Sequence, residues 1–103
     1  MGGTGATMKL LVAVVQDQDA PALMARLVER GFGATKLAST GGFLREGNTT
    51  LLIGVDDDRV AAALECIREV CHRRRHAGTG PGTEVEVAGA TVFVLGIDRF
   101  ERV

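Results

Sequence analysis

The chain has 103 residues, the size of one small domain. Apolar residues make up 46% of it, which is enough for a core, and the formal net charge of −1 argues against a general surface for nucleic acid or membrane. No apolar run is long enough to span a bilayer and no secretory signal pattern is present, so we expect a cytoplasmic protein. The absence of Trp and Tyr leaves four Phe for any aromatic recognition.

The N-terminal region predicts a strand followed by a helix. Residues 1–7 (MGGTGAT) have no periodicity and are expected to be a disordered extension of a domain over 8–103. An apolar run over Lys9–Gln16 predicts the first strand. The helix that follows is expected to end at Gly31 in a left-handed conformation. The residues that favour its start are Asp17 or Asp19 as a cap and Pro21 in the first turn.

The middle of the chain predicts two strands and a second helix. Phe32–Thr40 and Asn48–Val55 have strand character, separated by a glycine-rich loop. Asp56–Asp58 offers caps for the helix. Its apolar face is predicted to contain Val60, Ala63, Leu64, Ile67 and Cys71.

The C-terminal region completes a recognisable order of elements. His72–Gly82 is basic and then glycine-rich, which predicts a surface loop, and Val85–Ile97 predicts a last strand with a kink at Gly89. The order β-α-β-β-α-β predicts an α+β, ferredoxin-like sandwich in which two helices cover one face of an antiparallel sheet.

The strands are apolar on both faces, which this plan does not explain by itself. Leu10–Val15, Leu51–Ile53 and Val92–Leu95 lack the alternation expected of a sheet with one face in water. Two helices cannot cover both faces, so we expect a homo-oligomer formed by contacts between sheets. The alternative is a monomer with an exposed apolar patch.

The loop Thr40–Thr50 (TGGFLREGNTT) is the strongest candidate for a binding site. Its glycines allow unusual backbone dihedral angles and close approach to a ligand. Phe43 and Leu44 suit a flat ring such as a nucleobase, and the Asn48 amide both donates and accepts hydrogen bonds. Alternatively, Phe43 folds back onto the core.

Other motifs give weaker signals. The set Cys66, Cys71, His72 and His76 lacks the spacing of a zinc site, and reduced thiols with solvated histidines are expected instead. Arg73–Arg75 either holds phosphate or solvates a helix end. No Ser or Cys has an identifiable general base, so we expect no catalysis. We also expect no bound metal.

Three segments together resemble a known family. They are VQDQD (Val15–Asp19), TKLASTGGFLREGNTTLLIGV (Thr35–Val55) and VEVAGATVFVL (Val85–Leu95). They are similar to the PII-like receptors of cyclic di-AMP, the PstA or DarA family. The resemblance extends over Met8–Val103 and implies a PII-like homotrimer whose sheets face inward.

The resemblance also implies a ligand site in the cleft between subunits. Its residues would be Ala34, Thr35, Gly42, Phe43, Leu44, Asn48, Gly54 and Arg102. Three of the family's features differ here. Gly33 stands where a basic residue is common, with Arg102 in place of an expected glutamine, and the segment His72–Thr83 is shorter than usual.

The expected function is therefore signal transduction without catalysis. Cyclic di-AMP would bind between subunits, order the glycine-rich loop and change which protein partner docks. One alternative is a trimer that senses another nucleotide such as ATP. The other is a trimeric interaction module that has no ligand.

Overall fold

The computed structural model describes residues 7–37, 47–72, 74–77, 84–87, 89–99 and 101–103. A four-stranded sheet in the order β2-β3-β1-β6 forms the centre of the domain, and a separate two-stranded sheet pairs β4 with β5. The strands of the main sheet are β1 (Met8–Gln16), β2 (Gly33–Lys36), β3 (Asn48–Asp56) and β6 (Ala90–Ile97). The remaining elements are α1 (Ala20–Glu29), α2 (Val60–Val70), β4 (Arg74–Ala77) and β5 (Glu84–Val87).

The strand order and the pairing confirm the ferredoxin-like prediction. The central strand β1 pairs antiparallel with β3 on one side and with β6 on the other, and β2 pairs antiparallel with β3. The helix α1 therefore connects β1 and β2, and α2 lies between β3 and β6 in the chain; neither pair of strands is adjacent in the sheet, as the split β-α-β plan requires.

The hydrophobic core lies between the helices and one face of the sheet. Alternate residues of the two central strands point into it, because successive side chains of a strand lie on opposite faces. The strand residues buried there are Leu11, Ala13, Val15, Leu51, Ile53 and Val55. The helices contribute Ala20, Leu23, Leu27, Ala63, Cys66 and Ile67. Both cysteines, Cys66 and Cys71, are buried, and neither forms a disulfide bond.

The first helix ends as its sequence predicts. Gly31 has φ of +83°, and its N–H donates to the Val28 carbonyl at 3.0 Å. The N–H of Phe32 donates to the Leu27 carbonyl at 2.8 Å. These two bonds form a Schellman motif, in which glycine at the left-handed position avoids the strain of a Cβ atom.

The prediction of a surface loop over His72–Gly82 is wrong for the segment that forms β4. Arg74–Ala77 pairs antiparallel with Glu84–Val87 in the separate sheet. Pairing uses main-chain N–H and C=O groups, so the polar composition of this segment does not prevent it. The single strand predicted over Val85–Ile97 is likewise two strands, β5 and β6, and the predicted interruption at Gly89 is confirmed.

Ion pairs and a cation–π contact connect the two helices on their outer side. Arg26 Nη1 lies 2.5 Å from Glu69 Oε1, and Arg30 Nη2 lies 3.6 Å from the same oxygen. The Arg59 guanidinium lies 4.2 Å from the centroid of the Phe32 ring and donates to the Arg30 carbonyl at 2.9 Å. The ion pairs join the end of α2 to the last part of α1, and the Arg59 contacts join the beginning of α2 to the residues that follow α1. Neither described helix has the length and apolar composition needed to cross a membrane.

The end of α2 and the start of β6 approach each other closely at Gly89. A Cβ atom on Gly89 would lie 2.8 Å from the His72 carbonyl carbon and 2.9 Å from its nitrogen. We predict that Gly89→Ala lowers the free energy of unfolding by about 1–3 kcal/mol, because backbone cannot move aside as a side chain can. Denaturant unfolding measures the loss.

Gly96→Ala is the matched control for this substitution. Gly96 also belongs to the β6 region, but its Cβ would have no atom within 4 Å. A Gly89→Ala protein as stable as Gly96→Ala would contradict the close approach.

Candidate site on the uncovered face of the sheet

The second face of the main sheet is not covered by helices, and it is largely apolar. We call it the open face. It contains the residues that alternate with the core residues along each strand, and several of them are exposed or half-buried. Phe93 is 54% exposed and Leu95 is 49% exposed. The other apolar residues of the open face are Met8, Leu10, Val12, Val14, Leu52 and Ile97.

Register places two of the predicted ligand residues side by side on the open face. Thr35 pairs with Leu52, and Gly33 pairs with Gly54. Residues directly opposite each other in an antiparallel pair have side chains on the same face. Thr35 and Gly54 therefore lie together at the β2 edge of the open face, and Gly54 leaves the surface low there.

Asn48 lies on the same face at the start of β3. It pairs with Gln16 and has the same parity along the strand as Leu52 and Gly54. At about 3.3 Å per residue, Asn48 is roughly 13 Å from Leu52, the residue opposite Thr35. A ligand in contact with both Thr35 and Asn48 must therefore be extended along β3.

Ala34 differs from its neighbours because it faces the other way. It pairs with Ile53 and packs, half-buried, against the hydrophobic core. Only its main chain is therefore available to a ligand on the open face. Arg102 lies in the exposed C-terminal tail. The predicted residues Gly42, Phe43 and Leu44 are outside the described residues.

Main-chain hydrogen bonds hold both ends of segment 38–46 at this edge. The N–H of Leu37 donates to the Thr50 carbonyl at 2.9 Å, and the N–H of Asp17 donates to the Gly47 carbonyl at 2.9 Å. Gly47 has φ of +90°, a conformation that favours glycine. The glycine-rich segment therefore starts and ends beside the open face.

Asp17 has a different role from the predicted helix cap. It begins a short 3₁₀ turn, and its carboxylate accepts a hydrogen bond from the Thr49 hydroxyl. This contact joins the end of β1 to the start of β3. It fixes the strand that carries Asn48, so Asp17 supports the site without belonging to its surface.

Two cavities lie on the helix-covered side of the sheet. The one beside Asp17 has a volume of about 300 Å³, and a larger groove of about 460 Å³ separates α2 from β6. The groove is lined by Leu64, Ile67, Arg68, Cys71, Gly89, Ala90 and Val92. Thr35, Asn48 and Gly54 line neither cavity.

One residue of the open face follows a prediction from the sequence and another does not. Phe93 is an exposed aromatic residue that pairs with Val12, and it belongs to the apolar segment Val92–Leu95 that is expected to contact other copies. The Thr50 side chain is fully buried, and its hydroxyl has no hydrogen-bond partner among the described residues. No local sequence signal reveals such a group. The described residues also contain no group of three potential metal ligands.

Comparison with known proteins identifies the family. Residues 8–82 match the family described as cyclic-di-AMP receptor. A solved protein of unknown function from Pediococcus pentosaceus is 45% identical, with coverage of 94% of this chain and 98% of that chain and a TM-score of 0.74.

Two more distant structures share the fold. PII of Arabidopsis thaliana, solved with citrate bound, is 19% identical and has a TM-score of 0.61, with 93% of this chain and 80% of that chain covered. A DUF3240 family protein from Shewanella baltica is 21% identical and has a TM-score of 0.59, with 94% and 97% covered. The fold is PII-like, and the chain belongs to the cyclic-di-AMP receptor family.

Proposed function

We propose that this protein is a non-catalytic cytoplasmic sensor that binds cyclic di-AMP between the subunits of a homotrimer. The observation that carries the proposal is the placement of Thr35, Asn48 and Gly54 on the open face. That face has no helices over it, and Phe93 and Leu95 are about half exposed there, so contact with other copies would bury its apolar residues and form clefts between subunits.

Within the cleft, the described residues and the predicted loop residues have different roles. Thr35 and the main chain of Ala34 contact the nucleotide from β2, and Gly54 leaves room for it. Phe43, Leu44 and Gly42 cover a base, while Asn48 hydrogen-bonds to a base edge. Arg102 supplies positive charge toward the two phosphates. Ligand binding orders the glycine-rich loop and changes the surface offered to a downstream protein.

Titration calorimetry tests the ligand directly. Cyclic di-AMP should bind with a stoichiometry near one per subunit, and ATP and cyclic di-GMP should bind much more weakly. Saturable binding of ATP alone would favour a sensor of that nucleotide. No binding of any of the three would favour a trimeric interaction module and would overturn the proposed sensor.

The trimer interface gives a second prediction. Phe93→Glu places a charge on β6, beside the apolar residues of β1 on the open face, and burying an unpaired charge is costly. We expect the trimer to dissociate, with a monomer mass in light scattering coupled to size-exclusion chromatography.

Val28→Glu is the matched control for the interface. Val28 is 64% exposed on α1, away from the open face, so the trimer should persist. A Phe93→Glu protein that remains trimeric would show that the open face is not the interface.

We predict that replacing Gly33 with arginine raises the affinity for cyclic di-AMP. Gly33 is exposed and paired with Gly54, and a Cβ atom there would meet no atom within 4 Å. Gly33→Arg should therefore fold normally and place a guanidinium near the ligand phosphates. We expect the affinity for cyclic di-AMP to rise roughly threefold to tenfold, and the gain to shrink at high salt.

Gly33→Gln separates charge from side-chain size at the same position. It should leave the affinity near that of the unsubstituted protein. Equal effects of arginine and glutamine, or no effect of arginine, would contradict the proximity of position 33 to a phosphate.

A further inference from the structure

Among the described residues, Thr50 is the one with a buried side-chain polar atom that has no hydrogen-bond partner. Its side chain is fully buried, yet its hydroxyl has no hydrogen-bond partner among the described residues. The adjacent Thr49 hydroxyl, on the opposite face of β3, donates to Asp17. A buried polar group without a partner is destabilising, and valine has nearly the same shape without that cost. The presence of threonine rather than valine at position 50 is therefore not explained by the stability of the fold.

The position of Thr50 connects it with the ligand site. It lies on the open face of β3 between Asn48 and Leu52, opposite Val14. Its carbonyl accepts the hydrogen bond from Leu37, the last described residue before segment 38–46. Thr50 thus occupies the point where the glycine-rich loop leaves the sheet and where Asn48 begins β3.

Asn48 is a suitable partner for this hydroxyl. The two residues are separated by one position and lie on the same face, about 6–7 Å apart along the strand. The half-buried Asn48 amide also makes no hydrogen bond to a described residue. Neither of these two neighbouring side chains therefore has a hydrogen-bond partner among the described residues.

We infer that Thr50 is a positioning residue that fixes the orientation of the Asn48 amide when the nucleotide binds. The Thr50 hydroxyl donates to Asn48 Oδ1 and holds the amide in one of its two flipped orientations. The amide then presents its donor and acceptor to the base edge in a fixed order. This inference rests on the proposed binding of cyclic di-AMP, with Asn48 as the residue that contacts a base.

A fixed amide gives selectivity between purines. Adenine presents a donor at N6 and an acceptor at N1, while guanine presents an acceptor at O6 and a donor at N1. A side-chain amide that can rotate freely by 180° matches the base edge of either purine. Thr50 therefore contributes to the preference for cyclic di-AMP over cyclic di-GMP, beyond its contribution to affinity.

The test compares Thr50→Val with Thr50→Ser in the full chain. Thr50→Val keeps the shape and removes the hydroxyl, so affinity for cyclic di-AMP should fall roughly threefold to tenfold. Its preference over cyclic di-GMP should fall by a similar factor. Thr50→Ser keeps the hydroxyl and should retain both values. Calorimetry or competition with a fluorescent cyclic dinucleotide gives the two dissociation constants.

Thermal unfolding without ligand separates this role from a structural one. Thr50→Val should raise the melting temperature by a few degrees, because it removes the buried unpartnered hydroxyl. Thr49→Val, which loses a formed hydrogen bond, should lower it. If Thr50→Val fails to form the folded trimer, Thr50→Ala takes its place in the binding comparison.

The outcomes distinguish the inference from the proposed function. If the unsubstituted protein does not bind cyclic di-AMP, the proposed function fails. If it binds, and Thr50→Val retains the full affinity and selectivity, the role of Thr50 is overturned. A fall in selectivity with an unchanged or higher melting temperature would support the role.

Discussion

The structure depends on one constraint: a sheet with two apolar faces has helices on only one of them. Burial of Leu11, Leu51, Ile53 and the helix residues around them forms the core. On the open face, Phe93 and Leu95 remain about half exposed. Large contiguous apolar surfaces are unusual on soluble monomers, so this face is the natural place for contact between copies. In the proposed trimer, the predicted ligand residues at its edge become part of a cleft between subunits.

The same constraint explains why the site is built mainly from backbone and small side chains. At the β2 edge, Gly33 and Gly54 leave a low surface beside Thr35. Hydrogen bonds from Leu37 and Asp17 hold the two ends of the glycine-rich segment at this edge. The sheet thus provides the floor of the proposed site, and the described residues on both sides of segment 38–46 are anchored to it.

The sequence predicted the elements whose signals are local. Hydrophobic runs located β1 and β3, helical spacing located α1 and α2, and Gly31 marked the end of α1. The first strand of the β4–β5 hairpin was not predicted, because β4 has a polar composition and pairs through its main chain. Asp17 was expected to cap a helix, but its partner Thr49 is 32 positions away in the chain.

Prediction of the site was also limited to what local sequence signals reveal. Resemblance named Thr35, Asn48 and Gly54, but only strand register shows that they share a face, and that Ala34 points away from it. The unpartnered hydroxyl of Thr50 depends on packing from several strands, so no spacing rule could have indicated it. Long-range register and burial are therefore what the structure adds to the sequence.

The central claim is that the ligand site exists only between subunits. Sedimentation equilibrium over a dilution series, with and without saturating cyclic di-AMP, tests it most directly. If the site is completed by a neighbouring copy, ligand binding must stabilise the trimer. With ligand present, the trimer should therefore dissociate into monomers at a lower protein concentration than it does without ligand. Bound ligand should also sediment with the trimer alone. An association equilibrium that is unaffected by bound ligand, or a monomer that binds cyclic di-AMP as tightly as the trimer, would contradict the account.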